Sequence, residues 1–229
     1  MKIRQFFIYC LTVLLFTSCE SGFEDMMNET KGEKVYKYYA YVANYYSNSV
    51  SAYSIDSKTG ALTSINTYST ATHANDLTTD PSNKFLYVAC THRTNPSAGY
   101  VYAYSINSST GALTLISSYS TGANSISVKV DPDGKYLYVA NGDYSIPADR
   151  AVHVYTINSD GSLTFKTTIN TGSGPCSMAV DPTNKFLYIL ERYAYDILAY
   201  TIGDGTYSSI DTYTASPGTS GYPSAIVIH

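Results

Sequence analysis

The stretch "DPSNKFLYVA" (residues 80–89) returns as "DPDGKYLYVA" (131–140) and as "DPTNKFLYIL" (181–190). Its opening aspartates, Asp80, Asp131 and Asp181, lie 51 and 50 positions apart, so the unit is about fifty residues long. Each unit keeps one internal order. A short apolar run such as "SISVKV" leads into the Asp-Pro turn, then come "KYLYVA", a variable loop, a run such as "VYAYSI", a glycine turn and "ALTLISSYST". Alternating apolar and polar positions bounded by turn residues predict four short strands per unit. Proline presets the first turn position, the aspartate carboxylate accepts nearby backbone amides, and Asn83, Gly134 and Asn184 tolerate a left-handed backbone. Turn chemistry therefore accounts for the recurring aspartates without a metal.

Four tightly connected strands repeated at this period predict an all-β fold, a β-propeller of four-stranded antiparallel blades. Composition agrees: 25 tyrosines, no tryptophan and abundant threonine and serine suit pleated surfaces. The 229 residues suit one domain. At the N-terminal end "YAYVANYY" (39–46), "VSAYSI" (50–55) and "ALTSINTYST" (61–70) match the second, third and fourth strands of a unit, while "YPSAIVIH" (222–229) matches a first strand alone. The two fragments add up to one blade. The expectation is a four-bladed ring at 35–229 whose first blade is completed by the C-terminal strand. A monomer is expected because closure within one chain has the higher effective concentration; the alternative is two copies closing an eight-bladed ring.

"MKIRQFFIYCLTVLLFTSC" (1–19) has a basic start, an apolar run too short to span a bilayer, and small residues before Cys19. Residues 1–18 read as a signal peptide. "FTSC" (16–19) resembles the bacterial lipobox, which implies lipidation of Cys19 and attachment to a membrane of the cell envelope through that lipid. Residues 19–34 read as the lipidated N-terminus and a flexible tether. The formal charge of −4 becomes more negative once Lys2 and Arg4 leave with the signal, and no basic run is present, so nucleic acid is excluded as a partner.

The units "DPSNKFLYVACT" and "VHVYTINSDGSLT" resemble the YVTN-type repeat and the lactonase family typified by bacterial 6-phosphogluconolactonase, over about residues 35–229. The resemblance implies a propeller and, as one reading, a lactone or ester hydrolase. The residues themselves show no nucleophile, base or metal constellation, and the first reading is a binding or scaffold module that presents a variable loop face to a partner protein or a small anionic or sugar-like ligand. No cofactor and no metal site is expected.

Sites in propellers gather where the connections into the first strands meet those between second and third strands. Residues there that change from blade to blade are the candidates. Arg93, Arg150 and Arg192, with Asn75 and Asn124, suit anion or sugar binding, because guanidinium forks pair with carboxylates and phosphates. His73, His92 and Glu191 are the weak catalytic candidates, a histidine activating water beside a carboxylate. Cys90 and Cys176 fall on separate blades and are expected to stay reduced.

Overall fold

The computed structural model describes residues 37–92, 99–122, 124–142, 150–215 and 223–228. These form fifteen strands in four antiparallel sheets. The first holds β1 (Tyr38–Asn44), β2 (Ser49–Ile55) and β3 (Leu62–Ser69). The second holds β4 (His73–Thr79), β5 (Phe85–Thr91), β6 (Tyr100–Ile106) and β7 (Leu113–Ser120). The third holds β8 (Ser125–Val130), β9 (Tyr136–Asn141), β10 (Ala151–Ile157) and β11 (Leu163–Asn170), and the fourth β12 (Pro175–Val180), β13 (Phe186–Glu191), β14 (Asp196–Ile202) and β15 (Tyr207–Thr214). Each sheet is a meander in sequence order, as the repeat predicts.

The recurring aspartates do what turn chemistry requires. Asp131 Oδ1 accepts the amides of Lys135 (2.7 Å) and Tyr136 (2.9 Å); Asp80 does the same for Lys84 and Phe85, and Asp181 for Lys185 and Phe186. Asn83, Gly134 and Asn184 take φ of 55°, 69° and 56°, which closes each turn with a left-handed residue.

Sheets stack on one another through their faces. β1 packs on β4, β4 on β8 and β8 on β12, so the first strand of each complete sheet lines a common axis. One core lies between the first and second sheets (Val50, Leu86, Val88, Tyr104), one between the second and third (Tyr87, Val101, Leu137, Val139) and one between the third and fourth (Tyr138, Val152, Leu187, Ile189). Full burial of each such side chain contributes roughly 1.5–3 kcal/mol. Tyrosine rather than phenylalanine recurs because its hydroxyl finds a partner on the next sheet. Tyr87 donates to Gly161 O at 3.1 Å and Tyr41 to Gly111 O at 2.9 Å.

The C-terminal strand does not complete the first blade. The first sheet stays three-stranded, in the order β1-β2-β3, and residues 223–228 belong to no strand. They lie beside β12 instead, where the Ile226 amide donates to Ser177 Oγ at 3.3 Å and the Cys176 thiol to Pro223 O at 3.4 Å. The reason lies in the packing: β1 packs on the sheet that follows it, and among the described residues no strand of the last sheet packs comparably on the first, so the end sheets do not meet and the tail pairs with no strand of the first sheet. The described residues therefore comprise three complete four-stranded sheets and one of three strands.

Candidate functional site

Every inner strand begins with a β-bulge. Pairing with the second strand skips Asn75 in β4, Ile126 in β8 and Cys176 in β12. A bulge leaves one residue unpaired and re-aims its side chain, which is why bulges gather at functional rims. Here the three skipped residues line one pocket of about 610 Å³ at the end of the axis where inner strands begin.

Polar atoms dominate that pocket. Asn75 Nδ2 donates to Ile126 O at 2.5 Å, and Asn124 Oδ1 accepts the backbone amide of His92 at 2.8 Å, so each asparagine ties neighbouring sheets together at the rim. Asp76 Oδ2 accepts from Ser127 Oγ (2.9 Å) and the Val128 amide (3.0 Å), with Lys129 Nζ 3.9 Å away. Those bonds occupy the carboxylate in holding β4 to β8. Arg192 follows β13, lines the same pocket and lies beside Cys176. Burial raises the Cys176 thiol, and the neighbouring Arg192 works against that rise. Lys129 and Arg192 add cationic donors to the lining.

The structure thus brings together four of the candidate residues, Asn75, His92, Asn124 and Arg192. The others serve the fold or fall elsewhere. His73 stacks on Tyr45 with ring centroids 4.6 Å apart, and its Nδ1 lies 2.9 Å from Tyr45 O, so it fastens β4 to the β1–β2 hairpin. Arg150 donates to Gly172 O at 3.3 Å and stands 5.0 Å over the ring of Tyr193, away from the pocket lining. Arg93 and Cys19 lie outside the described residues.

Glu191 is held by the backbone of the connection that precedes β12. It ends β13 at the position that Asn44 holds in β1, Cys90 in β5 and Asn141 in β9. The Asn141 side chain accepts from Ser125 Oγ at 3.0 Å; the buried Glu191 carboxylate accepts the Ser173 amide at 2.9 Å. The shared role is to pin the connection entering the inner strand. Burial lifts its carboxyl above the usual glutamate range, against the Ser173 amide and the Thr171 hydroxyl. A carboxyl raised on folding stabilises the fold fully below its unfolded value of ~4.3, and that contribution is lost as pH rises through the folded value. Glu191→Gln keeps an acceptor for Ser173 and removes the buried charge. Its melting temperature at pH 7 is expected to equal or exceed the parent's, with the gain vanishing in acid, measured by thermal unfolding across pH.

Ser127, Lys129 and Ser177 are pocket residues that the sequence reading passed over. Their signal was available, since they stand on inner strands next to the skipped positions, but the bulge that turns them toward the axis leaves no mark in a two-residue periodicity. Both described cysteines are free and buried, Cys90 with its thiol pushed up to about 12 by burial. Among the described residues, no group of three His, Cys, Asp or Glu could hold a metal ion.

A meander of four-stranded sheets around an axis, with a polar pocket where the inner strands begin, defines a β-propeller with a small-molecule-sized site at one mouth. The family described as "Lactonase, 7-bladed beta-propeller" matches residues 39–176, more than half of the chain. The chain belongs to the lactonase family.

Among solved structures, a protein of Bacteroides uniformis provisionally named a 6-phosphogluconolactonase is 20% identical with a TM-score of 0.64, the match covering 75% of this chain and 50% of that one. The periplasmic gluconolactonase of Pseudomonas aeruginosa is 16% identical with a TM-score of 0.60, covering 81% and 70%. Hydrazine synthase of Kuenenia stuttgartiensis is 20% identical with a TM-score of 0.53, covering 71% and 49%. These likenesses are of fold, and the chain spans half the length of the Bacteroides protein. No curated protein matches the sequence.

Proposed function

We propose that the chain is a lactone hydrolase acting in the pocket at the mouth of the axis, in preference to the binding or scaffold role that its residues alone suggested. The observation that carries this is the convergence of His92, Arg192, Asn75 and Asn124 on one polar pocket in a chain of the lactonase family. Histidine titrates near neutrality and takes a proton from water in general base catalysis. The water oxygen then bonds to the lactone carbonyl carbon. As the tetrahedral intermediate collapses, the ring C–O bond breaks and the proton passes from His92 to the departing alkoxide. The product is a hydroxy acid. Arg192 and the amide groups of Asn75 and Asn124 supply donors for the developing oxyanion and for the substrate's hydroxyls.

An unphosphorylated sugar lactone suits an exported chain better than a phosphorylated intermediate of the cytoplasm, and one fold neighbour is named a periplasmic gluconolactonase. A pH-stat screen of sugar lactones against the purified protein tests the reading. Hydrolysis that Arg192→Ala weakens supports it, and absence of turnover on every five- and six-membered sugar lactone overturns it. The export reading belongs to the same proposal: the chain is lipid-anchored at Cys19 in the cell envelope. Cys19→Ala is expected to move the protein from the membrane pellet to the soluble fraction, read by fractionation and immunoblot.

A further inference from the structure

Two charged side chains of the inner strands line the pocket, Asp76 of β4 and Lys129 of β8. Lys129 stands opposite Tyr138 in the strand register. Thr78 fills the same position opposite Tyr87 in β4, and Ala179 opposite Tyr188 in β12. A hydroxyl or a methyl group serves the fold at that position, so folding does not call for an amine there. Lys129 also lines a second cavity, of about 550 Å³, together with the Asp-Pro turns at the far ends of the inner strands. It therefore stands on the wall of the axis between the two cavities and not on a rim loop.

The carboxylate beside it is already engaged. Asp76 Oδ1 accepts the Leu77 amide at 2.9 Å, while Oδ2 accepts Ser127 Oγ at 2.9 Å and the Val128 amide at 3.0 Å. Lys129 Nζ lies 3.9 Å from Oδ2, an ion pair beyond hydrogen-bond range. Among the described residues Lys129 Nζ makes no hydrogen bond, so its three N–H groups remain for a ligand. The Lys129 side chain is 38% exposed, enough to be reached from the pocket and covered enough to be only partly solvated. With Arg192 following β13, the lining holds two positive charges against the one negative charge of Asp76.

A lactone ring is neutral and gives a lysine ammonium no charge to pair with. A lactone closed by one carboxyl group of a diacid keeps the other as a carboxylate. A charge-assisted bond from an ammonium to a carboxylate is about twice as strong as one between neutral groups. Opening such a ring consumes one water, releases one proton and leaves two carboxylates. Two cations in the pocket match them.

We propose that Lys129 sets the substrate class: the pocket takes lactones that carry a free carboxylate, the monolactones of sugar diacids. That carboxylate binds Lys129 down the axis, and the lactone carbonyl stays at the rim with His92 and Arg192. The inference rests on the lactone hydrolase reading and adds a specificity residue to it. Lys129 is away from the bonds that change, so its contact is present in the ground state and the transition state alike. Such uniform binding acts on KM and leaves kcat unchanged.

The test uses the purified protein and the 1,4-lactones of glucaric and gluconic acid, which share a ring and a chain length and differ in a terminal carboxylate against a hydroxymethyl group. KM for the diacid lactone is expected to be lower by about 10–100-fold, the span of a hydrogen bond to a charged group. Lys129→Met is expected to erase that difference, with kcat, KM for the gluconic lactone and the thermal melt near the parent's. Lys129→Arg is expected to restore most of it. Calorimetric titration with open-chain glucarate reads recognition without turnover: glucarate is expected to bind the parent more tightly than gluconate does and to lose that advantage in Lys129→Met. Equal KM values for the two lactones in the parent overturn the proposal, as does a preference that survives Lys129→Met. Tighter binding of inorganic phosphate than of glucarate also overturns it, since the site is then one for phosphate. Glucarate binding that depends on Lys129 with no lactone turned over removes the hydrolase reading and leaves carboxylate recognition standing. Turnover without the preference does the reverse.

Discussion

His92→Ala is expected to lower kcat/KM for sugar lactone hydrolysis by about 10²–10⁴-fold, the range over which a positioned general base contributes. The backbone amide of His92 is already held by Asn124 Oδ1, so losing the imidazole leaves the rim of the pocket in place. The loss should therefore fall on kcat, with KM little changed. His73→Ala is the contrasting case. Its ring stacks on Tyr45 and meets Tyr45 O, so its removal is expected to loosen the first sheet from the second and leave the chemistry near the parental rate. Steady-state kinetics on both variants, paired with a thermal melt, separates the roles. Equal loss of kcat in both would sink the assignment of His92 as the base.

Asp131→Ala carries the largest expected loss of stability. The residue is fully buried; its Oδ1 holds the amides of Lys135 and Tyr136, and its Oδ2 accepts from Asn184 Nδ2 at 3.0 Å across to the next sheet. Alanine leaves the two backbone amides without that partner, at ~1–3 kcal/mol for each buried group, while Asn184 Nδ2 keeps its bond to Asp133 Oδ2 at 2.7 Å. A total of about 3 kcal/mol corresponds to a fall in Tm of roughly 6–12 °C for a domain of this size. The same change at Asp181, which is half-buried, should cost about half as much because water reaches the freed amides. Asp131→Asn keeps an acceptor oxygen and should lie between the parent and the alanine variant. Chemical denaturation of the three variants checks the order.

Much of the site was legible in the sequence because the repeat made departures visible. The loops entering inner strands and those leaving second strands do meet at one mouth, and Asn75, His92, Asn124 and Arg192 are there together. Glu191 shows a second reason for variation between repeats. The position varies among Asn44, Cys90, Asn141 and Glu191, and at Asn141 and Glu191 the side chain accepts a hydrogen bond from the segment at the start of the inner strand, a structural role that more than one residue type can fill. Variation between repeats marks freedom of chemistry as readily as function.

The sequence by itself determined the strand, turn and sheet: a period of two residues within each run, an Asp-Pro turn that the aspartate side chain closes, and a fifty-residue unit that repeats both. These depend on neighbours a few residues away, so they can be read locally. Tertiary structure alone decided where residues 223–228 go and which residues the bulges bring to one pocket. Those outcomes depend on how sheets pack about the axis. The apolar residues of the tail suit an inner strand, and only its tertiary contact, the Ile226 amide on Ser177, shows it beside β12.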